Sequence, residues 1–153
     1  MSTGKEPIRV LVVDDSPTMA DAVSALLTDD PRIEVVGRAN TGSRAVTLAR
    51  LLRPDVITMD LLMPDLDGPW TLVALHQINP QVRCCFMSGN TGTYDVELLL
   101  RMGAAAVLQK PFSLAKVAQI VQQLLDGSAR PLRLGALSRM AMEPIEYSTT
   151  RMT

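Results

Sequence analysis

The chain has 153 residues, 47% hydrophobic, 20% charged and 3% aromatic, with a formal net charge of -1. That length holds one domain of ordinary size plus a short extra piece. A near-neutral balance gives no footprint for nucleic acid or a membrane surface, and no apolar run approaches the roughly 18 residues of a membrane helix. The first residues, Met1 to Pro7, hold no apolar signal region. The expectation is therefore a cytoplasmic protein.

Apolar runs alternate with helix-period segments five times. The first run, about 8–13, is Ile-Arg-Val-Leu-Val-Val, and two acids follow it directly, Asp14 and Asp15. Ser16-Pro17 then opens a helix, with a capping residue and a proline at the first helical position. Met19, Ala22, Val23, Leu26 and Leu27 make its apolar face. A second run at 33–38 precedes a helix with Ala45, Leu48, Ala49 and Leu52 on one side. That helix ends before Pro54. The third run, 55–60, ends in Asp60, and a helix over Gly68–Ile78 follows, with Trp70, Val73, Ala74 and Ile78 assigned to its buried face.

A fourth run at 82–87 contains Cys84 and Cys85, whose side chains point to opposite faces of a strand. Two neighbouring cysteines supply neither a disulfide framework nor a zinc site, and their apolar setting suits buried thiols. A helix over about Gly92–Met102 ends at Gly103. A fifth run, 105–109, leads to a helix from Ser113 to Gly127 with Leu114, Val117, Ala118, Val121, Leu124 and Leu125. His76, the single histidine, is expected on a helix surface.

Five strands read as near-continuous apolar runs, as strands buried on both faces do. Right-handed crossovers then imply a (βα)5 flavodoxin-like, doubly wound parallel sheet of order 2-1-3-4-5. The expected division is a domain over 1–126 and a C-terminal tail over 127–153, mobile or docked on a partner. The tail carries Arg130, Arg133, Arg139 and Arg151 against Glu143 and Glu146.

In that strand order the first and third strands are neighbours, about 4.8 Å apart. Asp14, Asp15 and Asp60 then converge at the sheet edge where open α/β sheets bind ligands. Three carboxylates in one place call for a hard cation such as Mg²⁺. Ser88 ends the fourth run and Lys110 follows the fifth, which adds a hydroxyl and an ammonium. The set suits phosphoryl transfer to a carboxylate, with the cation neutralising charge on the moving group.

Asp14-Asp15 after the first strand, Met-Asp-x-x-Met-Pro-x-x-Asp-Gly at 59–68, Ser88-Gly89, and Lys-Pro-Phe at 110–112 together resemble the receiver domain of bacterial response regulators. The resemblance covers about 8–126. The stretches 30–37 and 54–58 are similar to receivers of chemotaxis methylesterases. The resemblance implies that Asp60 accepts the phosphoryl group and that Asp14, Asp15 and Asp60 bind Mg²⁺, with Leu62 giving a backbone carbonyl. It implies that Ser88 and Lys110 hold the phosphoryl oxygens.

It further implies a sensor histidine kinase or phosphotransfer protein as donor, and a downstream protein partner on the helix 4–strand 5–helix 5 face. That readout would be a two-state population shift. On this reading the chain is no enzyme beyond transfer to its own Asp60. It has no DNA-binding or enzymatic output, and its oligomeric state is open.

Val107 stands where such receivers usually have an aromatic switch residue, and valine lacks the ring's travel. A phosphorylation-independent interaction module and the N-terminal fragment of a longer regulator are the competing readings. An aspartyl phosphatase fits poorly, because position 62, two after Asp60, is leucine. In receivers the positions matched by Leu62 and Asn90 border the path of attacking water, so the resemblance implies slow self-dephosphorylation. Leu62→Asn should shorten the phosphoryl half-life; an equal or longer half-life contradicts this.

Overall fold

The computed structural model describes residues 6–61, 63, 68–88, 96–109, 113–125 and 132–133. The elements, in chain order, are β1 (Ile8–Val13), α1 (Pro17–Thr28), β2 (Ile33–Ala39), α2 (Gly42–Leu52), β3 (Val56–Asp60) and α3 (Gly68–Ile78). They continue as β4 (Arg83–Ser88), α4 (Val96–Arg101), β5 (Ala106–Gln109), α5 (Leu114–Leu125) and β6 (Leu132–Arg133). The strands lie in the order β2-β1-β3-β4-β5-β6, and every pairing is parallel. The first five strands form the flavodoxin-like order expected from sequence. Among the described residues, no helix is long and apolar enough to cross a membrane.

Both faces of the sheet are apolar, which explains the unbroken hydrophobic runs. Along β1, β3, β4 and β5 the side chains alternate between two cores. Leu11, Val13, Ile57, Met59, Cys84, Phe86 and Val107 pack with α2, α3 and α4. Val10, Val12, Val56, Cys85, Met87, Ala106 and Leu108 pack with α1 and α5. The two cysteines thus face opposite layers, and both are fully buried. Burial pushes both thiols up, Cys85 to about 12, so neither is a thiolate at neutral pH.

Local signals set the helix ends. Ser16 caps α1 by accepting from the Met19 N–H, with Pro17 at the first helical position. Thr41 caps α2 through the Arg44 N–H. Arg53 ends α2 in the left-handed region at φ 52, returning its N–H to the Ala49 carbonyl. The following Pro54 disfavours a right-handed helical conformation there. Gly103, at φ 110, stops α4 as expected, and a Cβ there would meet the His76 ring at 2.9 Å.

Two expectations need correction. The period puts Trp70 and Val73 on the apolar face of α3, but Trp70 is 65% exposed and Val73 39%. Thr71, Leu72 and Leu75 are buried instead. The helix is apolar almost all round, so its period cannot select a face. His76 is half-buried, not a free surface side chain, and its Nε2 lies 3.2 Å from the Val82 carbonyl. The helix expected from Gly92 is described from Val96; residues 91–95 lie outside the described residues. The tail contributes β6, which pairs Leu132 with Ala106 and Arg133 with Val107.

Thr58 is a polar residue in an apolar strand. It is fully buried, and its hydroxyl has no hydrogen-bond partner among the described residues. Its register neighbours are Val12 and Cys85. A buried hydroxyl without a partner costs about 1–3 kcal/mol. Thr58→Val keeps the shape and removes that penalty, so urea unfolding should show a gain of about 1 kcal/mol. A loss of stability would mean that the hydroxyl is satisfied.

Candidate functional site

The parallel order places the C-terminal ends of β2, β1 and β3 side by side. Asp14 immediately follows β1. Its N–H donates to the Ala39 carbonyl at the end of β2, at 3.0 Å. One of its carboxylate oxygens accepts from the Ser16 N–H at 2.9 Å. This short side-chain-to-backbone turn carries the chain from strand to helix and aims the carboxylate at the edge. Asp14 is only 3% exposed, whereas Asp15 is open to solvent. Asp60 is the last residue of β3 and is half-buried, in register with Met87 of β4.

The structure brings together the three acids expected from sequence. Asp14, Asp15 and Asp60 each offer a carboxylate oxygen, and these oxygens lie within 4.8 Å of one another. At that range two full charges repel by about 3 kcal/mol at an effective dielectric of 20, less where Asp15 meets water. The donor set is all oxygen and all acidic, the set preferred by hard divalent cations. Ligands about 2.1 Å from an octahedral Mg²⁺ lie about 3.0–4.2 Å apart, so the cluster suits direct or water-bridged ligation.

The other expected residues divide into two groups. Ser88 ends β4, and its backbone is paired with Gln109. Leu62, Lys110, Gly89 and Asn90 lie outside the described residues. Val107 is buried in β5, beside Phe86 of β4, within the core that also holds Leu99 and Leu100 of α4. Its volume is committed to that core rather than to a solvent-facing rotamer.

Gly68 closes the loop that follows Asp60. Its N–H donates to the Leu61 carbonyl at 2.7 Å. A Cβ at this position would meet the Phe86 ring at 2.8 Å and the Leu61 carbonyl oxygen at 3.1 Å. A Cβ there would need the Phe86 ring and the Leu61 backbone to shift, so this close approach favours glycine.

Sequence reasoning missed the basic flank of the cluster. A cavity of about 520 Å³ opens beside Asp14 and Asp15 and is lined also by Arg38, Asn40 and Arg44. No motif marks these three. They meet the acids because the β1–α1–β2 crossover returns β2 next to β1, and the end of β2 leads into α2.

The family model for "Response regulator receiver domain" matches residues 10–122. Protein-glutamate methylesterase/protein-glutamine glutaminase 3 of Myxococcus xanthus is 56% identical over 110 residues, which are 70% of this chain and 31% of that protein. A protein of the same description from Methanospirillum hungatei, numbered 2, is 41% identical over 107 residues, 68% of this chain and 30% of its own. The chain therefore spans about a third of the length of these relatives.

Among solved structures, the response regulator domain of Thermotoga maritima CheB aligns with TM-score 0.65 and 36% identity, over 79% of this chain and 92% of that one. The CheX-CheY-BeF3-Mg+2 complex from Borrelia burgdorferi contains a chain that aligns with TM-score 0.72 and 27% identity, over 78% of this chain and 90% of that one.

Proposed function

We propose that this chain, which belongs to the response regulator receiver domain family, is a phosphorylation switch whose acceptor is Asp60. The observation that carries the reading is the convergence of three carboxylates within 4.8 Å at the ends of β1 and β3. Asp60 is the nucleophile. Asp14, Asp15 and Asp60, with the Leu62 carbonyl, would hold Mg²⁺, which would supply neutralisation of charge on the transferring group.

The step needs little from the chain beyond placement. An oxygen of Asp60 attacks phosphorus, the bond to the donor breaks, and the donor leaves with the electron pair. Asp14 is held by the Ser16 N–H, so it need not reorganise as charge moves. Ser88 and Lys110 take the remaining phosphoryl oxygens. The donor is a sensor histidine kinase or phosphotransfer protein, or a small acyl phosphate.

Readout runs through residues 1–126 as one receiver unit. Ser88 and Gln109 are paired across β4 and β5, and Val107 on β5 packs in the core shared with α4. A change at Ser88 therefore has a short path to the α4–β5–α5 face, where a downstream protein binds. β6, at Leu132–Arg133, pairs along β5.

We also propose that this stretch supplies regulation, not ester hydrolysis. The relatives' names describe methylesterases, yet this chain has one histidine in 153 residues. That residue, His76 on α3, is engaged with the Val82 carbonyl just before β4. A serine–histidine–acid site would have to be built on it. In a longer protein the esterase chemistry belongs outside the matched third.

Incubation with radiolabelled acetyl phosphate tests the acceptor. We expect Mg²⁺-dependent incorporation approaching one phosphoryl group per chain, reduced at least about tenfold in Asp60→Asn. Label that survives Asp60→Asn would contradict the assignment. No label in the native chain would favour a phosphorylation-independent interaction module.

A further inference from the structure

Asp14 and Asp15, the proposed metal-binding acids, have a basic neighbour that the receiver reading leaves unused. The 520 Å³ cavity beside Asp14 and Asp15 has Arg38 and Asn40 from the end of β2 and Arg44 from the first turn of α2 in its wall. Arg38 is already neutralised, since its guanidinium pairs with Asp21 of α1 at 2.5 Å. Arg44 makes no ion pair among the described residues. Its backbone is fixed by the N–H bond to the Thr41 hydroxyl, at 3.1 Å, and its side chain is exposed. One uncompensated guanidinium therefore stands across a cavity from two carboxylates, one strand beyond them.

We propose that this cavity holds the leaving end of a small anionic phosphodonor, with Arg44 as the donor-binding residue and acyl phosphates as the ligand class. The inference rests on the phosphoacceptor reading of Asp60. A dianionic donor approaching three carboxylates meets repulsion that a single divalent cation only partly cancels. A guanidinium beside the entry offsets the rest and offers two parallel N–H groups to a carboxylate.

Transfer from an acyl phosphate breaks the P–O bond to the acyl oxygen. The electron pair leaves on that oxygen, so the product is a free carboxylate and no proton is required. The group that gains charge is the group Arg44 would bind. Transfer from phosphoramidate breaks a P–N bond, and the nitrogen takes a proton and leaves as neutral ammonia. That leaving group gives a guanidinium nothing to hold.

The test is the ratio of phosphorylation rates with acetyl phosphate and phosphoramidate, with Mg²⁺, for the native chain, Arg44→Ala, Arg44→Lys and Arg38→Ala. A ratio internal to each variant is insensitive to the fraction folded. We expect it to fall about fivefold or more in Arg44→Ala, a size ordinary for one charge-assisted contact at a partly exposed site. Arg44→Lys should retain part of it, and Arg38→Ala should move it less than Arg44→Ala does. An unchanged ratio in Arg44→Ala, whether both rates fall together or neither falls, overturns the subsite while leaving Asp60 as acceptor. If the native chain takes no phosphoryl group from either donor and shows no Mg²⁺-beryllofluoride response, the acceptor reading falls and the subsite with it.

Discussion

The repulsion among Asp14, Asp15 and Asp60 is the constraint around which this molecule is arranged. Carboxylate oxygens held within 4.8 Å would drift apart on a flexible surface. Here Asp14 and Asp60 cannot, because buried backbone anchors both. Asp14 hangs from the Ala39 carbonyl through its N–H and from the Ser16 N–H through its side chain. Asp60 is the terminal residue of a strand whose four preceding residues are all buried. The stability of the two cores is what holds like charges in proximity, and a cation of matching charge and hardness is the natural compensation.

The same sheet that confines the acids connects them to the far edge. β3 pairs with β4 through Asp60 and Met87, and β4 with β5 through Ser88 and Gln109. Close-packed layers on both faces transmit a displacement rather than absorb it. Val107 sits in that path with a small, branched, buried side chain. Valine has no ring to swing, so in the proposed switch coupling runs through the backbone of β5 and its contacts with α4. The strand β6 lies on the outer edge of β5, which would otherwise expose unpaired backbone groups.

Most of the architecture was legible because both-face burial writes itself into Val- and Ile-rich runs, and because Ser16-Pro17 and Gly103 are strong helix signals. The acidic cluster was legible once strand order was inferred, since each acid ends or follows a strand. Other features were not. The buried face of α3 was misassigned because Trp70, Leu72, Val73 and Leu75 are all apolar, and only packing selects among them. The partner of His76 depends on Val82, six residues away across a turn. β6 is two residues of backbone pairing and has no side-chain period to detect. The Arg38–Asn40–Arg44 wall exists only because a crossover brings β2 beside β1, an adjacency no local motif records.

Stability measured with and without Mg²⁺, on the native chain and on Asp60→Asn, addresses the charge cluster most directly. Without metal, Asp60→Asn should unfold later than the native chain, by about 1 kcal/mol after allowance for solvent screening. With Mg²⁺, the native chain should gain stability as the ion concentration rises, and Asp60→Asn should gain distinctly less. A native chain indifferent to Mg²⁺, or an Asp60→Asn variant less stable than native without metal, would contradict the view that these three carboxylates form a strained site completed by a cation.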